Sequence, residues 1–234
     1  NYSATIVGVA KQLESQGNVL YPNSYELSFL ENKKFMYEKF KEHGVRHPKT
    51  LILKDIDDIQ SFNIAYPVLI KELHSAGSLG VHKVANGVEL RSLVDSEEFK
   101  KNNRSIIIQS LLNMRKDLRV VVIGGEVVLS YWRVNNASEW RPTATKFGST
   151  VVFGDFPEKW RSYIIEAIKK LNMRMGAFDV AWEDDDLDTE PYFLEVSPEY
   201  FPNAPYDEKK YNFDYSKYRN QISLFSSPEK DTVD

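Results

Sequence analysis

Two consecutive glycines, Gly124 and Gly125, separate two runs with strand character, L-R-V-V-V-I at 118–123 and E-V-V-L-S-Y-W-R at 126–133. Glycine enters the left-handed backbone region at no steric cost, and a two-residue loop with both centres there has the twist that an antiparallel pair requires. The spacing therefore predicts a hairpin in the middle of the chain. A second hairpin is expected from 177–182 and 192–196, around an acidic turn at 183–188. Short apolar runs at 50–53, 68–71, 81–85 and 106–108 read as further strands, the last with both faces buried. Helical spacing falls between them. Asn32 caps a helix over 33–43, with Met36 and Phe40 four apart and Gly44 as its stop. A helix is expected over 87–99. Another carries Trp160, Ile164, Ile168 and Leu171 on one stripe, with Asp155 and Glu158 as a capping box. Interleaved helices and strands of this kind argue for a mixed α/β chain rather than a bundle or a sandwich.

The composition removes several function classes. None of the 234 residues is cysteine, which excludes disulfides, cysteine zinc sites, iron–sulfur clusters and thiol nucleophiles. The four histidines lack metal-ligand spacing, and no apolar run approaches the ~20 residues that span a bilayer. With 30 basic against 34 acidic residues the net charge is −4, which does not point to a nucleic-acid partner. The sequence opens Asn-Tyr-Ser, and nothing in it reads as a signal peptide.

The last hairpin holds the chemistry. Asp179 and Glu195 each interrupt an apolar strand, and Ser197 shares the face of Glu195 because residues two apart on a strand project together. If the hairpin is symmetric about Leu187, Asp179 lies opposite Glu195, and like charges so placed repel unless a cation lies between them. Oxygen donors without cysteine or histidine suit magnesium, completed by water and substrate phosphates. The other reading of the same residues is a pair of solvated carboxylates. Lys71 ends a strand and precedes S-A-G-S-L-G at 75–80, whose backbone N–H groups are able to face an anion. Alone, that loop reads more simply as a plain hairpin turn after a lysine that reaches solvent, and Lys33 as a surface lysine.

Several short motifs stand in a fixed order. The helix-start Lys33 is followed by G-V-R-H-P-K-T at 44–50, then Y-P-V-L-I-K at 66–71 with its small-residue loop, then I-I-I-Q-S-L-L at 106–112. D-L-R-V-V-V-I-G-G-E-V-V at 117–128, F-D-V at 178–180 and F-L-E-V-S-P at 193–198 complete the series. Over about 18–205 the chain resembles the ATP-grasp superfamily, nearest to the RimK-like amino-acid and peptide ligases.

The resemblance implies an α+β fold of two lobes holding ATP between them, with the family's N-terminal substrate domain largely absent. It divides the chain into 1–31 as a remnant or linker, 32–108 as an N-lobe with a phosphate lid, 109–205 as a C-lobe with a metal site, and a 206–234 tail. Lys33 and Lys71 are then expected on the nucleotide phosphates, with Ser75, Gly77, Ser78 and Gly80 as the lid. Gln109, Ser110, Leu111 and Leu112 would read the adenine edge, and Asp117 and Arg119 would lie on the nucleotide side. Asp179, Glu195 and Ser197 occupy the metal positions, for magnesium or manganese in its place. The family usually has asparagine where Ser197 stands, and a hydroxyl is the shorter and weaker oxygen ligand.

The implied activity is ATP-dependent carboxylate–amine ligation through an acyl phosphate, in the cytoplasm, on small-molecule acids and amines, with a homo-oligomer left open. Arg133, Arg141 and Lys146 are candidates for holding the acyl substrate, since guanidinium grips carboxylate or phosphate in two-pronged fashion. A small-molecule kinase on the same fold and a non-catalytic nucleotide-binding module are the alternatives. The acidic run 183–188 reads as a solvated turn. The stretch 200–206 either lines the acceptor pocket or closes the core.

Overall fold

A computed structural model describes residues 2–75 and 78–200. The expected 206–234 tail and the position of Gly77 lie outside the described residues. Two helices outside the sequence expectations come first, α1 (Tyr2–Ser15) and α2 (Ser24–Leu27). The second is a single turn with a reciprocal cap. Asn23 accepts from the Glu26 N–H, and the Glu26 carboxylate accepts from the Asn23 N–H at 2.9 Å. The same buried carboxylate also accepts from the N–H groups of Arg174 and Met175 at 2.6 and 3.1 Å. It thereby fastens the start of the chain to a segment nearly 150 residues away.

Helix α3 (Lys33–Glu42) starts at Asn32, whose side chain accepts from the Phe35 N–H at 3.2 Å. His43 is its C-cap, and Gly44, at φ +64°, ends it as expected. Strands β1 (Thr50–Leu53), β2 (Val68–Glu72) and β3 (Val81–Val84) follow. The single helix expected over 87–99 is two, α4 (Gly87–Asp95) and α5 (Glu97–Asn102). Ser96 breaks the run because it adopts extended backbone and turns its hydroxyl to the Phe99 N–H, capping α5. Strand β4 (Ile106–Ser110) completes a four-stranded antiparallel sheet in the order β1-β4-β2-β3. Val68, Ile70, Ile106 and Ile108 pack there against Leu90, Val94 and Phe99.

The second sheet begins with the glycine hairpin. Strands β5 (Lys116–Ile123) and β6 (Glu126–Val134) turn through Gly124 and Gly125 at φ +66° and +88°, as the paired glycines predict. Strand β7 (Thr150–Val152), helix α6 (Arg161–Lys170) and strands β8 (Met175–Ala181) and β9 (Tyr192–Ser197) follow, and the sheet order is β7-β6-β5-β8-β9. The stripe of α6 is buried at Ile164, Ile168 and Leu171. Its expected capping box does not form. After Pro157 the chain winds a 3₁₀ turn, Glu158–Trp160, and the Glu158 carboxylate is bound by Arg161 at 2.7 Å instead of reaching back to Asp155.

The acidic run is not merely solvated. Glu183 accepts from the Asn113 N–H at 2.9 Å, and Asp185 from the N–H groups of Arg115 and Lys116 at 3.1 and 3.2 Å. These carboxylates therefore hold the connection from the first sheet to the second.

Strand alternation decides what each face of the second sheet carries. Leu118, Val120, Val122, Phe178 and Val180 face α3 and α6 and form the main core with Met36, Phe40, Ile164 and Ile168. On the other face Val121, Leu129, Tyr131, Val151 and Ala177 form a smaller cluster at one end, and Asp117, Arg119, Arg133 and Asp179 stand at the other. A face half apolar and half charged positions the site.

Candidate active site

A cleft of about 560 Å³ is lined by residues of both sheets. Lys33, Lys71, Ser75, Ser78, Gln109, Ser110, Leu111, Leu112, Asp117 and Arg119 line it, as do Arg133, Arg141, Lys146, Asp179, Glu195 and Ser197. Gly80 does not line it. It packs under the loop, where a Cβ would come within 2.8 Å of Glu72 Cβ, so only glycine fits.

Two lysines point in from one side. Lys33 is 6% exposed, and its ammonium donates to the Ser75 carbonyl oxygen and hydroxyl. Burial holds the ammonium below its ordinary pKa, although Glu195 pulls the other way. Lys71 donates to the Tyr37 hydroxyl at 2.9 Å, and Tyr37 donates in turn to the Leu194 carbonyl at 2.9 Å. Tyr37 escaped the sequence reading, although its i+4 spacing from Lys33 places both on one helix face. Ser78 adopts φ +60° at the far side of the loop.

The segment expected to read adenine leaves β4 for the second sheet. The Gln109 amide is buried and donates to Thr50 Oγ1 at 2.8 Å, so that side chain ties β4 to β1. Leu112 is buried at the cleft wall, while Ser110 and Leu111 are part-exposed there.

The charged end of the second sheet is a connected network. Arg119 lies opposite Asp179 across β5 and β8, and its guanidinium donates to both carboxylate oxygens at 2.7 and 2.9 Å. Arg133 lies opposite Asp117 across β5 and β6 and binds both oxygens of that carboxylate at 2.8 and 2.5 Å. Arg133 also reaches Asp179 at 2.7 Å. Burial pushes the Asp179 carboxyl up, but Arg119 and Arg133 outweigh it and hold the group down at about 2. For Asp117 burial prevails over Arg133 and Thr143, and its carboxyl is raised. Burial opposes both guanidinium charges, and the carboxylates beside them more than restore them.

Asp179 lies opposite Glu195 across β8 and β9, as symmetry about Leu187 predicts, and the register slips only beyond Asp179. The cations beside Asp179 are guanidinium groups of the protein. Glu195 and Ser197 form no side-chain hydrogen bond or salt bridge among the described residues, and both line the cleft. Oxygen donors of this kind suit magnesium, which takes one or two carboxylates and keeps water or phosphate for its remaining positions. Asp179 already accepts three charge-assisted bonds, one fewer than a carboxylate's roughly four lone-pair sites. Among the described residues no three His, Asp or Glu side chains group to hold a metal by themselves.

Arg141 and Lys146 lie on the loop between β6 and β7, and neither forms a salt bridge among the described residues. The sequence reading passed over Thr143 on that loop, whose hydroxyl donates to Asp117 at 2.6 Å, as well as Glu31 and Glu199 at the cleft edge. Tyr200 both lines the cleft and packs on the apolar end of the sheet; 201–206 lie outside the described residues.

Residues 31–199 match the RimK-like ATP-grasp domain family. The chain is 33% identical over 138 residues to the coenzyme gamma-F420-2:alpha-L-glutamate ligase of Methanococcus maripaludis, which covers 55% of this chain and 47% of that protein. It is 30% identical over 153 residues to the alpha-aminoadipate–LysW ligase LysX of Saccharolobus solfataricus, covering 63% and 54%. It thus spans about half the length of these relatives. Among solved structures, the RimK domain ATP-grasp protein of Sphaerobacter thermophilus superposes with a TM-score of 0.65 at 16% identity, over 85% of this chain and 71% of that one. That likeness is one of fold. No helix among the described residues is long and apolar enough to cross a membrane.

Proposed function

Because the chain belongs to the RimK-like ATP-grasp domain family, we propose that it carries the nucleotide-binding and phosphoryl-transfer part of an ATP-dependent carboxylate–amine ligase. The observation that carries this reading is the cleft itself, whose lining brings Lys33 and Lys71 together with Arg119, Arg133 and Glu195. Phosphoryl transfer asks a protein for positioning and for positive charge around the moving group, not for a nucleophile, and the chain has no cysteine. In the proposed reaction a carboxylate oxygen attacks the γ-phosphorus as its bond to ADP breaks. The amine then adds to the acyl carbon, phosphate leaves and the amine loses a proton.

Lys33 and Lys71 hold the triphosphate from the side of the first sheet. Its Ser75 contact makes Lys33 a tether for the loop that closes over the phosphates. Glu195 and Ser197 would hold magnesium together with phosphate oxygens and water, and when bound the ion would neutralise charge on the transferring group. Asp179 works behind them by fixing Arg119 and Arg133. Arg133, aided by Arg141 and Lys146, grips the acid. Cations at that end, and relatives named as glutamate ligases, support an acidic amino acid as one substrate. The relatives named as ligases and the ATP requirement support the cytoplasm as the proposed compartment.

The test is ADP release across a panel of acids with magnesium and hydroxylamine in place of the amine. Hydroxamate formation by the wild type, lost in Glu195→Gln, is the expected result. A stable phosphate ester in place of hydroxamate would make the chain a kinase. ATP binding without turnover would make it a binding module.

A further inference from the structure

The network in the second sheet does not end at the arginines. Asp117 is 1% exposed, and each of its oxygens is engaged: Oδ1 by Arg133 Nε, Oδ2 by Arg133 Nη2 and by the Thr143 hydroxyl. Asp117 lines the cleft, but both of its oxygens are already engaged within the protein. What it does reach is informative. On one side it fixes the guanidinium that faces the cleft. On the other it binds Thr143, in the middle of the loop that bears Arg141 and Lys146. Thr143 is itself 8% exposed. The loop's other side-chain ties start from its first residues: Asn135 donates to the Arg141 carbonyl at 3.3 Å and accepts from the Ala137 N–H at 2.9 Å, and Asn136 donates to Thr150 Oγ1 at 2.6 Å. The Thr143 bond is the charge-assisted one, and it enters the sheet beneath the loop.

We propose that Asp117 and Thr143 are positioning residues forming one latch, which locks Arg133 in place and draws the loop of Arg141 and Lys146 down over the acid substrate's end of the cleft. The loop and the guanidinium share one carboxylate, so releasing one loosens the other. A hydrogen bond to a buried charged group is worth enough to set the loop's closed population by about tenfold or more. The proposal rests on the ligase reading for what Arg133 grips, but not for the latch itself.

The test uses Thr143→Val, which keeps shape and loses the hydroxyl, and Thr143→Ser, which restores the donor. Hydrogen exchange is followed by peptide, and KM for ATP and for the acid are measured separately. In Thr143→Val we expect exchange across 137–149 to rise about tenfold while β8 and β9 keep their protection. KM for the acid should rise with KM for ATP unchanged, and Thr143→Ser should return both to wild type. Loop exchange unchanged in Thr143→Val overturns the proposal, and so does equal weakening of ATP and acid. If Asp117→Asn also fails to alter loop exchange, the latch is excluded without reference to Thr143. If loop exchange rises as expected while the wild type turns over no ATP with any acid, the latch stands and the ligase reading falls.

Discussion

Arg119 and Asp179 face each other across neighbouring strands and share two hydrogen bonds of 2.7 and 2.9 Å, in a site where Asp179 is 3% exposed. This pair changes the meaning of the two acids in the last hairpin. Glu195 opposite Asp179 would be a repulsive arrangement in isolation, and the charge that relieves it comes from a strand sixty residues earlier.

Removing Arg119 takes away two of the three charge-assisted bonds of Asp179 and leaves it with Arg133. Arg119→Met is expected to cost about 1–3 kcal/mol of stability, read from urea unfolding. The double variant Arg119→Met with Asp179→Leu should regain part of that loss, because no under-paired carboxylate is left buried. A single variant as stable as wild type would show that Arg133 alone satisfies Asp179.

The same pair sets an acid limb. Asp179 falls from an ordinary 3.8 to about 2 in the folded chain, so the folded state binds fewer protons at this group than the unfolded one. Its contribution, about 2 kcal/mol, is complete above about pH 5 and is lost as pH falls through 3.8 and then about 2. Asp117 is raised by burial and acts in the opposite sense. Stability between pH 5 and pH 3 should therefore fall more steeply in the wild type than in Arg119→Met. Parallel curves would remove the assignment.

Lys33 is a buried charge held at a structural cost. Its pKa is lowered by burial, so at neutral pH the protonated side chain weighs against folding, and that cost eases as pH rises. Lys33→Met is expected to melt within a few degrees of wild type or above it. The rise in melting temperature caused by ATP and magnesium should shrink, since a tenfold loss of affinity removes about 1.4 kcal/mol of that stabilisation. A ligand-induced shift equal to wild type would take Lys33 out of the phosphate site.

The acidic turn should govern the connection between the sheets. Glu183→Ala with Asp185→Asn removes or weakens acceptors for the N–H groups of Asn113, Arg115 and Lys116. Amide exchange across 113–116 is expected to rise about tenfold or more, with a stability loss of about 1–3 kcal/mol. Asparagine is kept at 185 because Asp185 sits at φ +54°, where asparagine is tolerated. Unchanged exchange would return the turn to a solvated role.

Local rules made much of this chain legible. Gly124 and Gly125 dictated a hairpin, Asn32 and Gly44 bounded α3, and the symmetry of the last hairpin put Asp179 opposite Glu195, because each depends on neighbours in the chain. Where local rules competed, they misled. Ser96 caps a new helix inside what is otherwise a continuous helical pattern, and Pro157 and Arg161 divert the expected capping box.

The sequence by itself determined most strands, helix α3 and the stripe of α6, the shared face of Glu195 and Ser197, and the order of motifs that places the chain among the ATP-grasp proteins, because backbone preference and period-two alternation are written residue by residue. Only the tertiary structure decided which donors the buried acids take. The Arg119 guanidinium meets Asp179, the Thr143 hydroxyl meets Asp117 and the backbone N–H of Arg174 meets Glu26, across 60, 26 and 148 residues. A buried charge takes whichever partner the packed sheet brings within hydrogen-bond reach, and that distance exists only once the chain has folded.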